Sequence, residues 1–153
     1  MKTRKPNYEE GTCFLVPLRE GGFGRGVVSR LNGKGVVLGY FFAPRLSSAN
    51  APQFGDQIQP QHAILVGQFG DLGLLKGEWP IVGKISGWTR AQWRLPRFVR
   101  QVGPTTIASE YTDDLQLVRE YNLDPTQALP KDSCKESLMG YGFVEIMLSK
   151  LLN

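Results

Sequence analysis

The chain has 153 residues, of which 41% are hydrophobic and 21% charged, with a net charge of +4. That length suits one domain over residues 1–153, able to bury about 70% of its unfolded surface without a staple, and the ordinary composition excludes wholesale disorder. No run approaches the roughly 20 apolar residues of a membrane span, and the basic start Met1 to Pro6 has no apolar stretch after it, so no secretory leader and no membrane contact are expected and the chain is placed in the cytosol.

Eighteen glycines and ten prolines favour short strands and turns over a helical bundle. A first strand is predicted at Gly11 to Leu18, with Pro17 marking an edge or a bulge because proline cannot donate to a ladder. The turn-rich Arg19 to Arg25 leads into a second strand at Gly26 to Leu31. Asn32-Gly33-Lys34-Gly35 is a hairpin turn, since Asn and Gly tolerate positive φ. Val36 to Phe42, apolar on both faces, is the central strand of a three-stranded antiparallel meander.

Ala43 to Pro60 is polar enough to be an exposed loop. Gln61 to Phe69 predicts another strand and Gly77 to Gly83 a shorter one. Trp88, Trp93 and Phe98 fall in an aromatic-anchored loop or irregular strand, and Thr105 to Ala108 closes the sheet. Asp113-Asp114 suits a helix start, because carboxylates favour a first turn, so a short helix through Leu115, Leu117, Val118 and Tyr121 is expected. The three- and four-residue spacing of Phe143, Val144, Met147, Leu148, Leu151 and Leu152 predicts a C-terminal amphipathic helix with Glu145 and Lys150 outside, docked on the sheet. The expected class is α+β, predominantly antiparallel β: a curled sheet or partly open barrel with a short helix and a C-terminal amphipathic helix.

Few residues suggest bond-making chemistry. Gly21-Gly22-Phe23-Gly24-Arg25-Gly26 resembles a phosphate loop in composition, but a β-branched strand follows it where a nucleotide loop would open a helix, so a hairpin turn is expected. His62 is the lone histidine and has no flanking acid or nucleophile. Cys13 and Cys134 lack the spacing of a zinc site or a disulfide framework. Asp113 and Asp114 point apart as adjacent residues and fit a cap better than a metal. No catalytic residue, metal ion or cofactor is expected.

The unusual stretch is Gly87 to Arg100, where Trp88 and Trp93 alternate with Arg90, Arg94, Arg97 and Arg100. These side chain types concentrate binding energy at protein interfaces and also stack bases and grip phosphates. Arg90, Arg94, Arg97, Arg100, Trp88 and Trp93 are therefore the candidate partner contacts; the tryptophans are also natural core anchors, which would leave the arginines as the surface contacts. From Lys84 to Arg100 every charge is positive, whereas Glu110 to Asp124 is mainly acidic, so the two stretches either pair within the fold or present two faces.

Taken in order, Phe14-Leu15-Val16-Pro17-Leu18-Arg19, Gly26-Val27-Val28-Ser29-Arg30, Gly39-Tyr40-Phe41-Phe42, Gly70-Asp71-Leu72-Gly73-Leu74, Trp79-Pro80-Ile81-Val82-Gly83 and Trp88-Thr89-Arg90 through Trp93, Pro96 and Phe98 resemble the immunity protein 26 family of bacterial polymorphic toxin systems. Tyr111-Thr112-Asp113-Asp114-Leu115 and Gly142-Phe143-Val144-Glu145 are also similar. The chain departs from the pattern at Arg94-Leu95, which separate Trp93 from Pro96. The resemblance implies a small cytosolic protein, encoded beside a toxin, that binds and neutralises that cognate toxin. A net charge of +4 speaks against acidic mimicry of nucleic acid as its style of inhibition. A nucleic-acid-binding module using residues 84–100 is the alternative.

Overall fold

The structure is a computed structural model that describes residues 7–48, 58–126, 129 and 133–152. The basic N-terminal residues 1–6 and part of the expected exposed loop, 49–57, lie outside the described residues.

Strands β1 (Thr12–Pro17), β2 (Phe23–Leu31) and β3 (Val36–Leu46) form the expected antiparallel meander. The first turn works because Gly21 and Gly22 take φ of 95° and 78°, which only glycine adopts readily. In the second turn Asn32 acts by its side chain, whose Oδ1 accepts from the N–H groups of Lys34 and Val36 at 2.7 and 3.0 Å, while Gly33 and Gly35 supply the positive φ. Two expectations are corrected here. Ala43 to Leu46 continue β3 where an exposed loop was expected. β1 is not an edge, because β5 (Ile81–Lys84) pairs with it; the bulge falls between Cys13 and Phe14, and Pro17 ends the strand past the reach of β5.

The large sheet has six strands in the order β10-β4-β3-β2-β1-β5, with β4 at Leu65–Gly70 and β10 at Leu138–Met139. Part of the strand predicted over Gln61 to Phe69 is a 3₁₀ turn at Pro60–His62. β6 (Arg97–Val102), β7 (Thr105–Tyr111), β8 (Leu117–Asn122) and β9 (Ser133–Lys135) make a second sheet in the order β8-β7-β6-β9. Thr105 to Ala108 therefore help build a separate sheet and do not close the first. Neither sheet is closed into a barrel.

The expected helix at Asp113 is overturned. Thr112 to Gln116 form a tight turn in which the Thr112 N–H donates to the Gln116 carbonyl at 2.8 Å and Leu115 takes a φ of 60°. A left-handed leucine costs about 1–2 kcal/mol, and its burial at 8% exposure offsets that cost. The short helix is instead α1 (Leu72–Leu75).

Two apolar cores flank the large sheet. On one face Phe14, Phe41 and Phe69 meet Leu74 of α1, Trp79, and Val144 and Leu148 of α2 (Tyr141–Leu151). Trp79 stacks on Phe14 at 5.6 Å and its Nε1 donates to Glu145 Oε2 at 3.0 Å. α2 thus docks on the sheet as expected, but Glu145 turns inward while Phe143 and Leu151 are exposed. On the other face Cys13, Val27, Leu38, Tyr40 and Phe42 meet Trp93, Phe98 and Leu115, joining the two sheets.

Candidate protein-binding surface

The crossover between β5 and β6, residues 85–96, carries most of the arginine and tryptophan stretch. Its anchor is Trp93, fully buried and edge-on to Tyr40 and Phe42 at 5.3 and 6.0 Å. The Tyr40 hydroxyl donates to the Arg94 carbonyl at 2.6 Å, and burial pushes its pKa up to about 12, so the phenol stays a donor at any physiological pH.

Under the crossover lies Arg30, only 2% exposed. Its Nη1 donates to the Trp93 carbonyl at 3.0 Å and to the Ser29 carbonyl and hydroxyl at 2.9 and 3.0 Å. Its Nε donates to Asp113 Oδ1 at 2.7 Å, and its guanidinium carbon sits 5.9 Å from the Trp88 ring centroid. A buried charge persists only when its donors are satisfied; Arg30 meets that condition by tying β2, the crossover and the Thr112 turn together. Sequence reasoning passed over it. The signal was an arginine inside an otherwise apolar strand, Val27-Val28-Ser29-Arg30-Leu31.

The six residues singled out as partner contacts are spread over different environments. Trp93 is in the core and Trp88 half-buried. Arg90 forks onto both oxygens of Glu10 at 2.8 and 2.6 Å and lies 3.4 Å from Asp113 Oδ2, and the Glu10 bond raises its pKa. Arg94 is exposed. Arg97 and Arg100 stand on opposite faces of β6 from one another: Arg100 shares the Phe98 side and donates to Ser109, Glu120 and Glu136 at 3.1, 2.9 and 3.0 Å, whereas Arg97 faces outward near Glu110.

The basic and acidic stretches therefore pair within the fold. Asp113 is held below its ordinary range chiefly by the Arg30 hydrogen bond, Glu120 by Arg100, and Glu110 by Arg119 with a smaller contribution from Arg97. The outer face of the small sheet has a different balance. Arg97 and Arg119 flank Glu110 there, Lys135 stands at the Val99 position on the same face, and Arg119 also lies 4.9 Å over the Tyr121 ring.

The remaining chemical candidates are placed plainly. Gly21 to Gly26 form a hairpin turn and the start of β2. His62 is exposed in the 3₁₀ turn. Cys13 is fully buried, and desolvation pushes its thiol up to about 12, which leaves no thiolate at neutral pH. Among the described residues no three His, Cys, Asp or Glu side chains are grouped to hold a metal ion, and no helix is long and apolar enough to cross a membrane.

Among the described residues, seven of the eleven exposed large hydrophobic side chains lie beyond residue 106. Comparison with known proteins gives one family: a family model described as immunity protein 26 matches residues 9–106. No curated protein and no solved structure matches the chain.

Proposed function

The chain belongs to the immunity protein 26 family, and from that premise we propose that it binds a cognate bacterial toxin in the cytosol and neutralises it as a stoichiometric inhibitor. Family membership is the observation that carries this reading; it implies a toxin partner and a role in binding rather than turnover. The contact residues proposed from the sequence are narrowed by burial. Trp93 and Arg30 support the crossover from beneath, whereas Arg90, Arg94, Arg97 and the exposed edge of Trp88 are within reach of a partner.

The ion pairs favour a protein partner over nucleic acid. Binding to duplex DNA gains free energy by releasing about one counterion per phosphate neutralised. Lys84, Arg90 and Arg100 already face carboxylates, which leaves Arg94 and Arg97 as the charges of residues 84–100 open to phosphates.

The test is co-expression with the toxin encoded beside this gene. Cells should survive only when this chain is present, and the two proteins should elute together in equal amounts. Survival without a complex would point to catalysis or indirect rescue and would sink the stoichiometric reading.

A further inference from the structure

We propose that the toxin docks by adding an extended, acidic-faced strand to the free edge of β8, against the cationic outer face of the small sheet. This rests on the toxin-binding reading above and names the surface and the kind of segment it takes.

β8 ends the order β8-β7-β6-β9, so one side of its backbone has no strand beside it among the described residues. The other sheet ends are shorter: β8 runs six residues, against four for β5, three for β9 and two for β10. An open edge is a template for an incoming strand, because its unpaired N–H and C=O groups are satisfied by main-chain bonds to a partner. Leu117 and Val118 stand on that edge at 52% and 61% exposure. The ladder shifts register between Glu110 and Tyr111, so that Leu117 lies opposite Tyr111 and Arg119 opposite Glu110, with Val118 as the extra residue.

Charge selects the occupant. Phe98 points into the core, so its neighbours Arg97 and Val99 point outward, and Lys135 shares the Val99 position in the β6–β9 pairing. Arg97, Arg119 and Lys135 thus stand on one face against Glu110, with exposed Arg94 shortly before Arg97 and Asp124 tied to Thr126 beyond the end of β8. A strand laid along β8 puts one side chain directly opposite Arg119, where a carboxylate is favoured, and others against Leu117 and Val118, where apolar groups are. For a second copy of this chain, the two-fold registers centred on Arg119 and on Glu120, in the middle of β8, set like charges opposite one another.

The placement also suits discrimination. An inhibitor separates one toxin from another by a difference of affinities, which needs surface beyond a shared scaffold. The family match ends at residue 106, and β8 begins at Leu117.

The experiment uses the full chain and the catalytically inactivated toxin encoded by the neighbouring gene. By calorimetry Arg119→Glu should weaken binding at least about tenfold while Arg119→Lys stays close to the unsubstituted chain, with melting unchanged in Arg119→Lys and lowered in Arg119→Glu only by the loss of the exposed Glu110 pair, both variants staying folded at the temperature of the titration. In the unsubstituted complex the amides of 117–122 should exchange more slowly than in the free chain. Binding unaffected by Arg119→Glu, with protection falling on residues 85–96 or on α2, overturns the docking surface and leaves the toxin-binding reading standing. No binding by the unsubstituted chain overturns both. A dimer of the free chain, or binding of a short DNA duplex at physiological salt, that Arg119→Glu abolishes would assign the edge to those occupants and overturn the proposal.

Discussion

The large sheet and the small sheet are held by different physics. The large one is apolar on both faces and packed between two cores, with Phe14, Phe41, Phe69 and Trp79 in mutual ring contact on one side. The small one buries Phe98, Ala108 and Ser109 but keeps most of β8 in solvent, and its side chains are joined by Arg100–Glu120, Arg100–Glu136 and Arg119–Glu110 pairs. Apolar burial contributes strongly, whereas exposed ion pairs contribute little each. An apolar-packed sheet and an ion-paired, more exposed sheet thus stand side by side, and Arg30 with Trp93 joins them.

The contrast breaks most severely at the tryptophans. Trp79→Ala should cost about 3–5 kcal/mol and unfold the large sheet, since Trp79 also supplies the bond to Glu145 that seats α2. Trp93→Ala should cost about as much but act on the junction, and limited proteolysis should then cut within residues 85–96 first. Equal cutting of both variants at the same place would deny the division. Asp113→Ala should cost about 1.5–3 kcal/mol, measured by denaturant unfolding, because it takes one acceptor from buried Arg30 and leaves three. Gly26→Ala sharpens the picture from the scaffold side. A Cβ there would lie 2.4 Å from Phe14 Cζ, and since Phe14 is stacked on Trp79 it has little room to give, so overpacking should cost about 1–3 kcal/mol. A melting temperature equal to that of the unsubstituted chain would show that this core can relax.

The same division explains what was legible in the residues. The meander could be read because turn chemistry and apolar runs coincide: Gly21-Gly22 and Asn32 to Gly35 punctuate strands whose partners are sequence neighbours. β8 was misread as a helix because its signals compete. Two carboxylates before a leucine mimic a capped helix, and the deciding fact, a left-handed Leu115, is set by the pocket that buries its side chain. Core anchor and partner contact were both open readings of the tryptophans, and Trp79 and Trp93 are fully buried. The pairing of the basic and acidic stretches was one of two open expectations, and only the fold brings Arg90 beside Asp113 and Arg100 beside Glu120. Glu145 was placed outside by helical spacing alone, which carries no knowledge of an indole N–H on a facing loop.

The smallest effect is on pH, and its sign follows from the junction. Asp113 has an ordinary pKa of 3.8 and sits lower in the folded chain, mainly through the Arg30 hydrogen bond. The folded state therefore resists its protonation more than the unfolded state does. Its contribution is present in full above the ordinary value and is lost as pH falls through the lowered one. Glu110 and Glu120 are lowered as well, by Arg119 and Arg100, so acid should loosen the small sheet and the junction before the large sheet. Between about pH 5 and pH 3 the unsubstituted chain should lose more stability than Asp113→Asn, and amides of β6 to β8 should begin to exchange earlier than those of β2 and β3. Were the two profiles parallel, the Arg30–Asp113 bond would not be what couples the sheets, and the packing of Trp93 against Tyr40 and Phe42 would be left to carry the junction by itself.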